Sequence, residues 1–95
     1  MLFHITHVHS ELTCPYHKPE VASETFAKVL PAFAEAGATV VGAYADAPAH
    51  AMYFIVDATS ADQVRLGLAP VIDQGTADVR PVSEFGKVAE ERAKG

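Results

Sequence analysis

The hydrophobic pattern of this chain changes period in a set order, and that order limits the fold more than any other feature. Residues Leu2 to His9 alternate as a strand does, with Leu2, His4, Thr6 and Val8 on one face and Phe3, Ile5, His7 and His9 on the other. Phe26, Val29, Leu30 and Phe33 then recur at i, i+3, i+4 and i+7, the apolar stripe of a helix over about residues 19–36. Pro19 suits its first position and Glu20 its dipole, while Gly37 offers a natural end. Pro31 lies inside, where it removes a bond to Ala27, so a kink or a break is expected.

Thr39 to Asp46 and His50 to Ala58 are rich in β-branched and aromatic residues and are separated by Ala47-Pro48-Ala49, which predicts a hairpin. Ser60-Ala61-Asp62-Gln63 reads as a capping box, the serine hydroxyl capping the third amide and the glutamine reaching back. It opens a second helix that buries Val64, Leu68, Val71 and Ile72, with Pro70 as a kink and Gly75 as a stop. Thr76 to Val82 forms a fourth strand, and Pro81, with no N–H for the ladder, favours an edge position or a bulge. Ser83 to Gly95 is rich in charge, a short helical tail on which Phe85 and Val88 dock weakly.

The order β-α-β-β-α-β predicts an α+β, ferredoxin-like domain over residues 1–83, with a polar C-terminal tail over 84–95. Two helices cover one face of its four-stranded antiparallel sheet. The other face stays bare unless something hides it, and in Met52-Tyr53-Phe54-Ile55-Val56 nearly every side chain is apolar, as suits a strand covered on both sides. A second copy of the same sheet is the expected cover, giving a homodimer built as an α/β barrel. Composition agrees: 49% hydrophobic and only 20% charged residues is apolar for a monomer of 95 residues.

Charge excludes some partners. A net charge of −5 with seven unclustered Lys and Arg supplies neither the phosphate contacts that nucleic acid needs nor a basic face for anionic lipid. One cysteine rules out an intrachain disulfide, and neither a signal peptide nor an apolar run approaching 18 residues is present, so a cytoplasmic location is expected.

The chemistry gathers at one end. His4, His7, His9 and His17, four of the five histidines, fall within fourteen residues together with the only cysteine, Cys14; the fifth histidine is His50. His7 and His9 share a strand face with Cα atoms roughly 6.5–7 Å apart, close enough for two imidazoles to converge on one ion. Cys14-x-x-His17 adds a pair that one helical turn would bring together, and His4 faces the other way, as a packed residue. His7, His9, Cys14 and His17, with His50 as a further ligand from the hairpin end or from a second subunit, offer the nitrogen and sulfur donors that zinc, copper or nickel prefer. No standard zinc-finger spacing is matched; the signal is ligand density. Such a site binds metal through a thiolate and neutral imidazoles, so binding releases protons and weakens below about pH 6.

Met1-Leu2-Phe3-His4 and the block Tyr53-Phe54-Ile55-Val56-Asp57-Ala58-Thr59-Ser60 resemble the dimeric α/β-barrel superfamily, and within it muconolactone isomerase and its small relatives of unknown function. The resemblance covers about a third of the chain at the level of fold. It implies a homo-oligomer and a small-molecule pocket between sheet and helices. The superfamily hosts isomerases, cofactor-free monooxygenases, haem enzymes and metal binders, so no single activity follows.

Three further readings stand beside the metal site. A cofactor-free isomerase or monooxygenase would use His7 or His9 as general base, with Tyr16, Tyr44 or Tyr53 orienting the substrate. In a variant of it, Cys14 is the nucleophile or a redox thiol. A haem binder would ligate iron through Cys14 or a histidine and hold the propionates with Arg65 and Arg80. An interaction module would leave the histidines as solvated surface.

Overall fold

A computed structural model describes residues 1–95. Its centre is strand β1 (Leu2–His9), which pairs antiparallel with β3 (Ala51–Asp57) on one side and β4 (Gly75–Val82) on the other. Strand β2 (Thr39–Asp46) pairs antiparallel with β3, so the open sheet runs β2-β3-β1-β4, as in a ferredoxin-like fold. A bulge at Val41 lets Val40 and Gly42 face consecutive residues of β3. Strand β4 is an edge, where Pro81 leaves no ladder bond unmade that the sheet needs.

The alternation of β1 decides what is inside. Phe3, Ile5, His7 and His9 are buried on the helix-covered face, whereas Leu2, His4, Thr6 and Val8 lie on the other, partly or largely exposed. Phe33, Val29, Val64, Leu68 and Val71 of the helical layer close over Phe3, Ile5, Phe54 and Val56. Burying a side chain the size of Phe33, which has no exposed surface, contributes about 1.5–3 kcal/mol.

The first helical segment breaks, one of the two outcomes expected, but at Thr25 and not at Pro31. Helix α1 (Pro19–Glu24) ends there, a 3₁₀ turn follows at Phe26–Lys28, and α2 (Val29–Glu35) begins anew. Starting α2 at Val29 puts Pro31 third in the helix, among the first four residues whose amides have no intrahelical acceptor, so its missing N–H costs nothing. Thr25 caps the broken end by donating its hydroxyl to the Val21 carbonyl.

Helix α3 (Ala61–Leu68) begins as expected at Ser60, whose hydroxyl accepts the Gln63 amide at 3.4 Å. The Gln63 side chain reaches one residue further back than a simple capping box, to the Thr59 amide at 2.8 Å. Pro70 sits in a 3₁₀ turn, Ala69–Val71, that ends the helix. Helices α2 and α3 cross where residue 67 is glycine: a Cβ there would lie 2.0 Å from the Phe33 ring. Gly75 is the first residue of β4 and not a mere stop, since a Cβ would lie 2.1 Å from the Val8 carbonyl oxygen. The tail forms α4 (Phe85–Ala93), and here the expected docking does not occur: Phe85 is 83% exposed and Val88 also faces solvent. No helix is long and apolar enough to cross a membrane.

Candidate metal centre

His9 ends β1 on its buried face, the last step of the alternation that also buries Ile5 and His7. Its amide donates to the His50 carbonyl at 2.9 Å, extending the β1–β3 ladder one step past the Val8–Ala51 pair. That bond sets His50 opposite His9, at the end of the β2–β3 turn, where it adopts a left-handed backbone with φ 52°. The two imidazoles meet edge to face with centroids 5.4 Å apart. Phe26 of the 3₁₀ turn packs its ring edge-on against His9 at 5.3 Å and against His7 at 6.2 Å, closing the side towards the core.

The loop over residues 10–18 delivers the third donor. Thr13 turns back on Ser10, its amide donating to the Ser10 carbonyl at 3.1 Å, and its hydroxyl reaches the Gln74 carbonyl at 2.7 Å just before β4. Lys18 ties the far end, its amide to Pro15 and its ammonium to the Leu12 carbonyl at 2.7 Å. Cys14 is held half-buried between these anchors as a free thiol.

One ligand atom each from His9, Cys14 and His50 lies within 4.8 Å of the others. Tetrahedral bonds of roughly 2.0–2.3 Å place donors about 3.3–3.7 Å apart, so rotamer adjustments of an ångström or so close this group on an ion. Both imidazoles carry a buried Nδ1 with no hydrogen-bond partner. Buried polar atoms are normally hydrogen-bonded, so the Nδ1 atoms of His9 and His50, like that of His7, are exceptions. Burial, and then the neighbouring His50 and His7, lower the His9 pKa from its ordinary value of 6.5. The neutral, ligating form of His9 therefore persists to lower pH than that of a solvated histidine.

The sequence-expected ligands separate here. His9 and Cys14 are in the group, and His50 belongs to it from within the same chain. His7 stands outside: fully buried behind His9 with centroids 6.3 Å apart, it donates from Nε2 to the Val71 carbonyl at 3.0 Å. That bond uses the Nε2 proton, and Nδ1 is buried with no hydrogen-bond partner. His17 is also outside the group, exposed and packed edge-on against Tyr16 at 4.6 Å. It lines, with Cys14 and His50, a cavity of about 470 Å³ between the loop and the β2–β3 turn. His4 is on the opposite face of the sheet, as expected.

Phe26, Thr13 and Gln74 shape the centre without any ligand-like signal in the sequence. Phe26 had the helix stripe to mark it as core, and the other two are joined only by the fold. No protein family, curated protein or solved structure matches this chain.

Proposed function

We propose that this chain is a small transition-metal protein whose ion is held by His9, Cys14 and His50 of one subunit. The observation that carries it is the convergence of three soft or borderline donors from three separate segments, a strand end, a loop and a hairpin turn, with two of their nitrogens buried and unpartnered. Zinc and copper match one thiolate and two imidazoles best, and nickel also accepts them. Three protein ligands leave a position for water or substrate, the pattern of a catalytic site and not of a closed structural one. His7 then acts behind the site, its Val71 hydrogen bond fixing the orientation of its ring against His9. We propose also that the protein works as a homo-oligomer, since the sheet face opposite the site bears exposed Val8, Tyr44 and Val82.

Elemental analysis by plasma mass spectrometry of untagged protein, dialysed against a weak chelator, tests the metal. Near-stoichiometric zinc, copper or nickel per chain is expected, with loss in Cys14→Ser and His50→Gln and none in His4→Gln. Folded wild-type protein that carries no metal and takes none up would overturn the proposal.

A further inference from the structure

Resting on the metal reading above, we propose that the open coordination position takes a small organic monoanion, a carboxylate on a compact apolar body, seated in the cavity beside Cys14 and His50. The cavity, about 470 Å³, falls within the size range of small-molecule sites. Two of the three donors, Cys14 and His50, stand in its wall, whereas His9 does not and packs against Phe26. An ion held by the three therefore meets the cavity on its open side.

Charge selects the ligand. A divalent ion with one thiolate and two neutral imidazoles keeps one positive charge, and in a half-buried place the ion's own charge dominates the local balance. The rest of the wall adds nothing net, because the Lys18 ammonium is matched by the Glu11 carboxylate. One negative charge completes the site and two would exceed it. Tyr16 and Pro48 supply the apolar surface against which the body of the ligand lies. Lys18, already fixed through the Leu12 carbonyl, is the cation nearest to hand for a second carboxylate oxygen.

Cobalt(II)-loaded full-length protein tests this by absorption spectroscopy, with benzoate, acetate, benzamide, phthalate and azide as probes. A thiolate-to-cobalt charge-transfer band is expected first, since Cys14 is a ligand. Benzoate is then expected to shift the d–d bands saturably and at least tenfold more tightly than acetate, with neutral benzamide silent and dianionic phthalate weaker. Lys18→Gln should weaken benzoate about threefold or more and leave azide unchanged. Absence of the charge-transfer band overturns the metal reading, and this inference with it. A charge-transfer band with d–d bands that respond to azide and not to benzoate overturns the ligand class alone. Bands unmoved by either anion, but responsive in His17→Ala, show the fourth position filled by His17 and overturn the inference while the metal site stands.

Discussion

His50 has a left-handed backbone at φ 52°, a conformation that costs a side-chain-bearing residue roughly 1–2 kcal/mol and glycine almost nothing. A residue that keeps an imidazole there accepts strain at the position where the donor is needed. His50→Gly is thus expected to unfold at equal or higher denaturant, with a gain of up to about 1 kcal/mol after the lost ring contact with His9, while metal affinity falls at least tenfold. Chemical denaturation of metal-free protein beside a chelator competition reads both; a variant that loses stability and keeps its metal would show that the imidazole serves packing. His9 gives the pH dependence. Its folded pKa is lowered, chiefly by burial and then by His50 and His7, whereas the unfolded chain titrates near 6.5. Above that value both states are neutral and stability is full. As pH falls below 6.5 the unfolded chain takes up a proton that folded His9 resists, so metal-free protein loses stability progressively until the folded pKa is also passed. Urea midpoints from pH 7.5 to 5 should slope downward in wild type and less so in His9→Gln; equal slopes would sink the assignment.

The loop over residues 10–18 has little core of its own, and its placement depends on a few polar ties. The Thr13 hydroxyl bond to the Gln74 carbonyl is the one that crosses to another segment, and Cys14 is its immediate neighbour. Thr13→Val keeps the shape and removes the donor, at a cost of about 1 kcal/mol in stability. Metal affinity should fall roughly tenfold or more, because an outer partner that positions a ligand commonly matters that much. Competition with a chromophoric chelator measures it, and an unchanged affinity would mean that the loop is held by other contacts. At this scale the sequence was most readable. The alternation of β1, the cap at Ser60, the hairpin and the edge position of Pro81 all follow from local periodicity and the chemistry of single residues. A break in the first helix was expected from Pro31, but its place at Thr25 was not, because the start of α2 is set by where Pro31 does least harm and by Phe26 packing against two histidines. The donor set was readable as a density of ligands, with His9 and Cys14 in it. His50 was visible only as an outlying histidine, since its place opposite His9 depends on the β1–β3 register, a long-range pairing with no local mark. His7 shares the face of His9 and was separated from the group by the Val71 carbonyl, again a partner 64 residues away.

As a whole the molecule is extended, with axes of 53 × 29 × 16 Å and a radius of gyration of 14.9 Å, where a compact domain of this length has about 12.4 Å. Its accessible surface of 6288 Å² likewise exceeds the roughly 5300 Å² of a monomer of this mass. The excess, about 1000 Å², is close to the 800 Å² or so that each partner buries in a standard interface. Two places leave apolar side chains uncovered. One is the bare sheet face, where Val8 is 44% and Tyr44 67% exposed beside half-buried Ile55; the other is α4, which projects with Phe85 uncovered. In the assembly proposed above, a second copy laid on the sheet face would cover Val8, Tyr44 and Ile55. Light scattering after size exclusion is expected to give at least twice the mass of the chain, and Val8→Glu with Tyr44→Glu should return a folded monomer. The donors His9, Cys14 and His50 come from one chain and from the other face, so that monomer should keep its metal at one ion per chain. A monomeric wild type at micromolar concentration would refute the assembly. Loss of metal on dissociation would instead mean that the partner completes the site.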